Sequence, residues 1–442
     1  MTLEDTDQPE AEDRPEAEDR PEVLTFGCRL NMVESETIRK LAAGGGEKGL
    51  VVINTCAVTA ESTRQARQAI RKIKRERPAA RIVVTGCAAQ IDAEKFEDMP
   101  EVAHVLGNAE KMRASSWLGL FARSNVGPIA AAGRRDNEPQ PMLSSIEGHT
   151  RAFLAVQNGC DHDCTFCVIP QGRGPSRSVA AEDIVARAVK FVETGHKELV
   201  LTGVDLTSWG ADLPGAPKLG SLVRLLLRKI PELPRLRLSS IDCIEADADL
   251  LAAFAEEDRL APYLHLSLQS GDDLILKRMK RRHSRRESVN FCENLRAVRP
   301  EMAFGADLIA GFPTEDEAMA ARSLALIEDC GLTFLHVFPF SPRPGTPAAR
   351  MPGVSGPLVK ERAARLREAG QAAVQRHFAA QVGRRLQILT ERGGQGRADD
   401  FTPVLTPGLA PGQMIHAIAT GFDAHALTVT LDLPLIEKLS PK

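Results

Sequence analysis

Three apolar runs that each end at a cysteine constrain the fold of this 442-residue chain more than any other feature. The runs are VLTFGC, LVVINTC and IVVTGC, which end at Cys28, Cys56 and Cys87. Successive cysteines are 28 and 31 residues apart, about the length of a strand–helix–strand repeat, and Glu61–Arg77 between the last two runs has helical periodicity. Parallel strands of this kind end at one edge of the sheet, where ligands of open α/β sheets bind. We therefore expect the three thiols to converge.

Three converging thiolates can hold three irons of a cubane iron–sulfur cluster and leave the fourth iron open to an exogenous ligand. A zinc ion with a distant fourth ligand is an alternative. Another is that the three cysteines are unrelated buried thiols, because cysteine is among the most often buried residue types. Their position at three successive strand ends favours the cluster.

A second trio of cysteines, Cys160, Cys164 and Cys167, lies within Arg151–Ser178 with the spacing C-x3-C-x2-C. It follows the strand-like segment Phe153–Gln157. The spacing predicts a second three-thiolate iron–sulfur cluster with one open iron. The alternative is a structural zinc knuckle with His162 as fourth ligand, but a histidine between two cysteines would close a tetrahedral site only in a cramped geometry.

Beyond this loop, short apolar strands alternate with helical stretches such as Ala181–Thr194 and Leu219–Lys229, which implies parallel strands joined by right-handed crossovers. The predicted strands are Phe153–Gln157, Glu198–Thr202, Arg235–Ser239, Tyr263–Leu268, Ala303–Ile309 and Phe334–Phe338. Six such units form part of a barrel with its site at the carboxyl ends of the strands. After a helix over Leu358–Gln381, apolar and polar residues alternate within 415–419 and 427–433, which predicts a small antiparallel β-barrel, a type that often binds RNA.

The predicted fold class is therefore α/β with three folded parts. Residues 1–22 form a disordered acidic tail, 23–126 an open parallel sheet domain, 127–145 a linker, 146–378 a partial (β/α)6 barrel and 379–442 the small β-barrel. The tail carries ten acidic residues and two arginines, a net charge of −8, so the net charge of −3 for the whole chain leaves +5 for residues 23–442. Two basic runs, 64–77 and 277–286, favour an anionic macromolecule as partner.

The sequence shows neither a signal peptide nor an apolar span long enough for a membrane helix, so we expect a cytoplasmic protein. Nine cysteines are too sparse for a disulfide scaffold in a chain of this length, and two groups of three suit metal binding in a reducing compartment. Cys243, Cys292 and Cys330 have no metal-binding spacing and are interpreted as structural thiols.

From about Val23 to its end, the chain resembles the radical S-adenosylmethionine (SAM) methylthiotransferases. TFGCRLN, INTCAVT and VTGCAAQ are similar to the three cysteine segments of the family's N-terminal domain, and VQNGCDHDCTFCVIP is similar to its radical SAM motif. GRRLQILTERG and the later strands are similar to the RNA-binding TRAM domain. The resemblance implies that Cys28, Cys56 and Cys87 ligate an auxiliary [4Fe–4S] cluster that holds the sulfur to be transferred. It also implies that Cys160, Cys164 and Cys167 ligate the [4Fe–4S] cluster that cleaves SAM.

Among the branches of this family, LTGVDLTSWG, LHLSLQSG, LILKRMKRRH and LHVFPFSPRPGTPAARMPG are most similar to the tRNA enzymes that act on N6-threonylcarbamoyladenosine beside the anticodon. The implied partners are a tRNA anticodon stem-loop and an external electron donor, with no membrane and no DNA. The isopentenyladenosine enzymes and those that modify an aspartate of a ribosomal protein are the alternatives.

The resemblance implies radical chemistry, because C2–H of adenine is not acidic enough for a side chain to deprotonate. Reductive cleavage of SAM would release a 5′-deoxyadenosyl radical, and a second SAM molecule would supply the methyl group. A non-catalytic, zinc-dependent RNA-binding protein remains the alternative of another class; it predicts zinc without acid-labile sulfide.

Overall fold

The computed structural model describes residues 20–122, 129, 132, 141–143, 145, 146 and 148–432. Most of the predicted acidic tail and of the predicted linker 127–145 lies outside these residues. Within the described residues, no helix is both long enough and apolar enough to cross a membrane.

The N-terminal part is a four-stranded, all-parallel sheet with the strand order β1-β2-β3-β4. Thr25 pairs with Asn54 and Thr55 with Gly86, so these three strands end level with one another. Helix α2 is found where helical periodicity predicts it, within one residue at each end. Its N-cap Thr59 accepts a hydrogen bond of 3.1 Å from the Ser62 N–H. The elements are β1 (Glu22–Thr25), α1 (Arg29–Ala43), β2 (Leu50–Thr55), α2 (Ala60–Glu76), β3 (Arg81–Gly86), α3 (Cys87–Ile91), α4 (Ala93–Glu97), β4 (Val102–Val105) and α5 (Ala114–Trp117).

The central part contains the six predicted parallel strands, with bounds within two residues of the prediction. They pair as β5-β8-β9 and as β11-β12-β13, and the short strand β10, which comes just after β9 in the chain, pairs with β11. The elements are β5 (Ala152–Ala155), β6 (Gln157–Asn158), α6 (Ile169–Arg173), β7 (Arg177–Ser178), α7 (Ala181–Glu193), β8 (Glu198–Thr202), α8 (Leu219–Lys229), β9 (Arg235–Leu238), β10 (Ser240–Ile241), α9 (Ala248–Glu256), β11 (Tyr263–Gln269), α10 (Asp273–Arg278), α11 (Arg285–Val298), β12 (Ala303–Ala310), α12 (Glu317–Asp329), β13 (Leu332–Pro339) and α13 (Gly356–Gln381).

The C-terminal part is a closed five-stranded barrel, as the alternating pattern predicts. Its strands are β14 (Arg385–Glu391), β15 (Gln395–Ala398), β16 (Pro403–Leu405), β17 (Met414–Phe422) and β18 (Leu427–Leu431). Four pairs are antiparallel, but β16 and β18 pair in parallel at Val404 and Leu427. Barrel closure therefore requires one parallel contact, which the alternation of side chains cannot reveal because both pairings have the same period.

Candidate active site between two cysteine trios

The structure brings Cys28, Cys56 and Cys87 together at the carboxyl edge of the N-terminal sheet. Cys28 is exposed, whereas Cys56 and Cys87 are buried. Gly27 packs against Cys56: a Cβ at this position would lie 2.7 Å from the Cys56 sulfur, and φ is +105°, so glycine is required. Burial raises the pKa of Cys56 to about 11, and the Cys28 and Cys87 thiols act in the same direction. The three thiols are thus close enough to interact electrostatically.

The second trio, Cys160, Cys164 and Cys167, lies on the loop between β6 and α6, and all three residues are partly exposed. Cys160 Sγ is 3.7 Å from Asp205 Oδ2, and Arg281 Nη1 is 3.7 Å from Cys164 Sγ. Burial and the neighbouring Asp205 carboxylate raise the pKa of Cys160 to about 12. Arg281, which lies between α10 and α11, thus places one cation beside the trio.

His162, the possible fourth ligand of a zinc knuckle, is held by carboxylates. Its Nε2 atom is 2.8 Å from Asp205 Oδ2 and 3.6 Å from Glu245 Oε1. Hydrogen bonds to Asp205 and Glu245 raise the pKa of His162 to about 10. Since a metal ligand must be a neutral imidazole, this arrangement suits an imidazolium better than a zinc ligand.

Helix α6 lies between the two trios. The N–H of its first residue donates to Cys167 Sγ at 3.4 Å. At its other end, a Cβ on Gly172 would be 3.3 Å from the Cβ of Cys87. Val168, just before the helix, packs into the apolar core of the N-terminal sheet. Helix α6 therefore leads from Cys167 of one trio to Cys87 of the other.

A buried ion network fixes α6 to the N-terminal sheet. Arg173 Nη1 donates to Glu34 Oε1 at 2.8 Å, and Arg173 Nη2 donates to Asn31 Oδ1 at 2.5 Å. Lys111 Nζ donates to the other Glu34 oxygen at 2.7 Å. Burial alone would raise the pKa of Glu34, but the Arg173 and Lys111 cations lower it to about 2. Burial opposes the charge of Arg173, yet Cys87, Glu34 and Cys28 together raise its pKa above the usual value.

A cavity of about 160 Å³ is lined by residues that neighbour cysteines of both trios in the sequence. Val58 and Thr59, which follow the second cysteine of the N-terminal trio, line one side of it. Phe166, which lies between two cysteines of the other trio, and the strand-end residues Gln269 and Asp307 line the rest. A substrate in this cavity would meet residues from both cysteine loops.

Hydrogen-bonded polar side chains line the inner face of β11–β13 next to this cavity. We name Tyr263, His265, Asp307 and His336 the inner ladder. Tyr263 Oη is 3.1 Å from His265 Nδ1, His265 Nε2 is 2.9 Å from Asp307 Oδ1, and His336 Nδ1 is 3.2 Å from the same oxygen. Burial would raise the pKa of Asp307, but hydrogen bonds from the two histidines lower it below the usual value. The His336 side chain is 62% exposed, so the ladder is open to a ligand.

The two basic runs have different structural roles. In the second run, Lys280 pairs with Asp163, and Arg281 and Arg282 both pair with Asp242 at 2.7 Å. These cations therefore hold the cysteine loop against the barrel, and the run offers fewer charges to a partner than its sequence suggests.

The first basic run instead lines an open groove. Arg64, Arg67 and Arg71 of α2 face Arg343, which follows β13, across a groove of about 490 Å³ that also includes Lys95. This groove is adjacent to the cavity, because Thr59 and Ser341 line the cavity while Ala60 and Pro342 line the groove. We name it the basic groove.

Comparison with known proteins identifies the family. Residues 20–107 match the uncharacterized protein family UPF0004, and residues 154–327 match the radical SAM superfamily. The threonylcarbamoyladenosine tRNA methylthiotransferase MtaB of Rickettsia prowazekii is 46% identical over 402 residues, which cover 91% of this chain and 95% of that protein. This chain belongs to the radical SAM methylthiotransferase family. The tRNA-2-methylthio-N(6)-dimethylallyladenosine synthase of Parafrankia sp. is 32% identical over 412 residues, 90% of this methylthiotransferase and 83% of that protein.

A solved structure supports the fold assignment. The cobalamin-dependent SAM radical enzyme OxsB superposes with a TM-score of 0.50 at 11% identity, over 78% of this methylthiotransferase and 50% of OxsB. At this identity the similarity concerns the fold alone. The predicted fold class, an open parallel sheet, a partial radical SAM barrel and a small β-barrel, is confirmed.

As a radical SAM protein, the methylthiotransferase uses a [4Fe–4S] cluster and SAM, and its thiols fit a cluster better than a single ion. Neither cysteine trio is among the groups of three potential ligand atoms that lie within 4.8 Å of one another in the described residues, although Cys160 forms such a group with His162 and Asp205. A tetrahedral zinc ion with bonds of ~2.3 Å holds its sulfur ligands closer than that. The wider spacing suits a cubane, in which each thiolate binds a different iron.

Several residues at the site carry no local sequence signal. Glu34 and Arg173 are 139 positions apart. The one available signal is that Glu34 lies on the apolar side of α1, because a buried carboxylate needs a cationic partner. The inner ladder has a weak signal, because Tyr263, His265 and Gln269 alternate along one face of β11. The remaining cysteines, Cys243, Cys292 and Cys330, lie in the apolar core of the barrel.

Proposed function

We propose that this methylthiotransferase adds a methylthio group to C2 of N6-threonylcarbamoyladenosine beside the anticodon of tRNA. The observation that carries the proposal is that α6 leads from Cys167 of one trio to Cys87 of the other, and that residues from both cysteine segments line one cavity. Sulfur transfer requires this proximity, because a carbon-centred radical must meet the sulfur where it is formed. The MtaB of Rickettsia prowazekii, named for threonylcarbamoyladenosine, is 46% identical, against 32% for the dimethylallyladenosine synthase of Parafrankia sp. and 34% for that of Cereibacter sphaeroides.

The proposal includes two clusters. Cys160, Cys164 and Cys167 would hold the cluster that binds SAM, and Cys28, Cys56 and Cys87 would hold an auxiliary [4Fe–4S] cluster. When bound, the first cluster and SAM supply the radical chemistry that an unactivated aromatic C–H requires.

The chain's own residues would stabilise charge and restrict water. Arg281 beside Cys164 and Arg173 near Cys28 and Cys87 place one cation beside each cysteine trio. The apolar wall of the cavity, Phe166, Ile309, Phe338 and Phe340, would enclose the base and protect a radical from side reactions.

The tRNA backbone would lie in the basic groove. Arg64 pairs with Glu61 in the same helix, whereas Arg67 and Arg71 have no acidic partner within 4.0 Å among the described residues. Such cations replace the counterions of phosphates and so contribute to RNA affinity. Because the groove adjoins the cavity, RNA bound there could present one flipped-out base to the site.

The proposal also includes an external electron donor, a cytoplasmic location, the anticodon stem-loop as the recognised part of tRNA, and no role for a membrane or DNA. Cleavage of SAM requires one electron, which no described group of the protein supplies in itself. The C-terminal barrel would act as a TRAM-like RNA-binding domain.

Two measurements test the proposal. Anaerobic reconstitution should give about eight iron and eight acid-labile sulfide atoms per chain, as two four-iron clusters require; zinc without sulfide would indicate the non-catalytic RNA-binding alternative. Mass spectrometry of tRNA nucleosides from a deletion strain should show loss of the methylthio derivative of threonylcarbamoyladenosine. Loss of the isopentenyladenosine derivative, or of the modified ribosomal aspartate, with an unchanged threonylcarbamoyl derivative would refute the substrate.

A further inference from the structure

A half-buried arginine next to the first cysteine trio lacks a counter-ion. Arg29 directly follows Cys28 at the start of α1. Its guanidinium carbon lies 5.9 Å from the ring centre of Phe401, which stacks on Tyr263 of the inner ladder at 4.9 Å. Arg29 also acts electrostatically on the Tyr263 hydroxyl. This cation therefore lies between the N-terminal trio and the inner ladder.

Arg29 differs in its partners from the other arginines around Phe401. Arg151, Arg237 and Arg397 lie 5.4, 5.2 and 4.9 Å from the same ring centre. Each of these three forms an ion pair with a carboxylate. Arg151 and Arg397 contact Glu391 at 2.8 and 3.7 Å, respectively. Arg237 contacts Glu198 at 2.7 Å.

For Arg29, in contrast, the described residues provide neither a hydrogen bond nor an ion pair within 4.0 Å, and Glu198 acts on it only at longer range. In addition, Nη1 of Arg151 and Nη1 of Arg237, both shielded from solvent, have no hydrogen-bond partner. Because Arg235 also pairs with Glu198 at 3.0 Å, five guanidinium groups share Glu198 and Glu391 in a poorly hydrated site. An added anion would gain hydrogen bonds that this site leaves unmade.

We propose that Arg29 binds the carboxylate of the threonylcarbamoyl group and that the inner ladder is the specificity pocket for this substituent. The inference rests on the proposed function and goes beyond it, since it names the residue that selects the substrate. The adenine C2 atom must approach the cysteine trio to which Arg29 is adjacent in sequence. Since C2 and C6 flank N1 on the same edge of the base, the N6 substituent would lie near this trio too, on the side where Arg29 stands between the trio and the inner ladder.

The chemistry of the pocket distinguishes the two candidate nucleosides. N6-threonylcarbamoyladenosine carries a carboxylate, a hydroxyl group and a urea-like linkage, which match Arg29, the imidazole of His336 and the carboxylate of Asp307. An isopentenyl group is a hydrocarbon. It would leave Arg29 and Asp307 desolvated without a new partner. This energetic cost is how a binding site rejects a substrate that lacks the matching polar group.

The test compares two forms of one RNA. An anticodon stem-loop with N6-threonylcarbamoyladenosine and the same RNA with the threonine carboxyl group as its methyl ester differ by one negative charge. Binding to cluster-loaded, full-length enzyme is measured by fluorescence anisotropy without reductant, so that no turnover occurs. We expect the wild type to bind the acid roughly tenfold to a hundredfold more tightly than the ester, the range for one charge-assisted hydrogen-bonded pair.

The variants locate the effect. Arg29→Met keeps a long side chain without charge and should remove the difference between acid and ester. Arg29→Lys should retain part of it, because lysine keeps the charge but not the two parallel hydrogen bonds. Arg39→Met, on the same helix and paired with Glu36 at 2.6 Å, is the matched control and should behave as the wild type. Iron content confirms that each variant is loaded.

An equal affinity of the wild type for acid and ester would overturn the inference. So would an Arg29→Met variant that still prefers the acid, which would mean that another cation binds the carboxylate. If a phosphate of the RNA occupied Arg29 instead, Arg29→Met would weaken binding of both RNAs equally, which also refutes the proposal. Failure of the proposed function has a different readout: turnover of isopentenyladenosine RNA and no turnover of threonylcarbamoyladenosine RNA.

Discussion

Replacement of Glu34 by glutamine should weaken the contact between α6 and the N-terminal sheet and destabilise the N-terminal part. Glu34 is the anion between two buried cations, Arg173 and Lys111, with ion-pair distances of 2.8 and 2.7 Å. The fall of its pKa from 4.5 to about 2 corresponds to roughly 3 kcal/mol of stability, since a change of one in pKa is ~1.36 kcal/mol. Loss of one partner from a buried ion pair costs ~3–5 kcal/mol, which agrees. We therefore expect Glu34→Gln to lower the free energy of unfolding of the N-terminal part by about 3 kcal/mol.

The sign of the pH dependence follows from the direction of the pKa change. Because the folded protein lowers the pKa of Glu34, its stabilisation is fully present above the usual value of 4.5 and is lost as the pH falls towards about 2. The difference in stability between the wild type and Glu34→Gln should therefore be largest at neutral pH and shrink below pH 4.5.

The chain offers a local probe for this measurement. It contains two tryptophans, and Trp117 Nε1 donates to the Lys111 carbonyl at 3.0 Å, next to the network. In a Trp209→Phe background, urea unfolding of the full-length apoprotein followed by Trp117 fluorescence reports on this region.

Glu36→Gln is the matched control, because Glu36 lies on the same helix and pairs with Arg39, and their side chains are 15% and 29% exposed. It should cost less than Glu34→Gln, since Glu34 is 7% exposed and has two cationic partners. If Glu34→Gln were as stable as this control, or if its deficit grew on acidification, the account of the network would be wrong. Because the network fixes α6, loaded Glu34→Gln enzyme should also lose activity while Glu36→Gln retains it.

Three further outcomes test the other parts of the site. Cys56→Ala should lower the iron content of reconstituted protein from about eight to about four per chain, while Cys292→Ala keeps about eight; equal loss in both would argue against separate clusters. Arg71→Ala should weaken binding of anticodon stem-loop RNA and reduce the salt dependence by about one phosphate contact; an equal effect of Arg75→Ala, on the same helix outside the groove, would refute a specific path. Glu198→Gln removes a buried carboxylate with a pKa of about 2. In calorimetric unfolding it should lower stability by ~3–5 kcal/mol at pH 7 and by less as the pH falls below 4.5. A deficit independent of pH would contradict the assigned ion pairs.

Most of the architecture is predictable from the sequence because it depends on local patterns. Apolar runs that end at Cys28, Cys56 and Cys87 identify three parallel strands, and the helix between the last two is found at Ala60–Glu76. Side-chain alternation identifies β17 and β18, although not the parallel pairing of β16 with β18.

The interactions that join these elements depend on contacts between distant residues and were not predictable. Arg173 and Glu34 look like ordinary charged residues until the fold buries both of them. The run KRMKRRH predicts a surface for an anionic partner, but Arg281 reaches Asp242 instead, 39 residues away. Charge in a sequence gives the number of ionic groups, and only the fold determines which of them are already paired.

The short helix between the trios has a consequence for engineering. The guanidinium of Arg173, its last residue, contacts both the barrel and the N-terminal sheet. A chimera that exchanges one of these parts with that of a relative would therefore place unmatched ionic partners in a buried interface. Positions 31, 34, 111 and 173 should therefore be transplanted as one set, and hybrids that divide this set should fail to assemble even when each donor enzyme is stable.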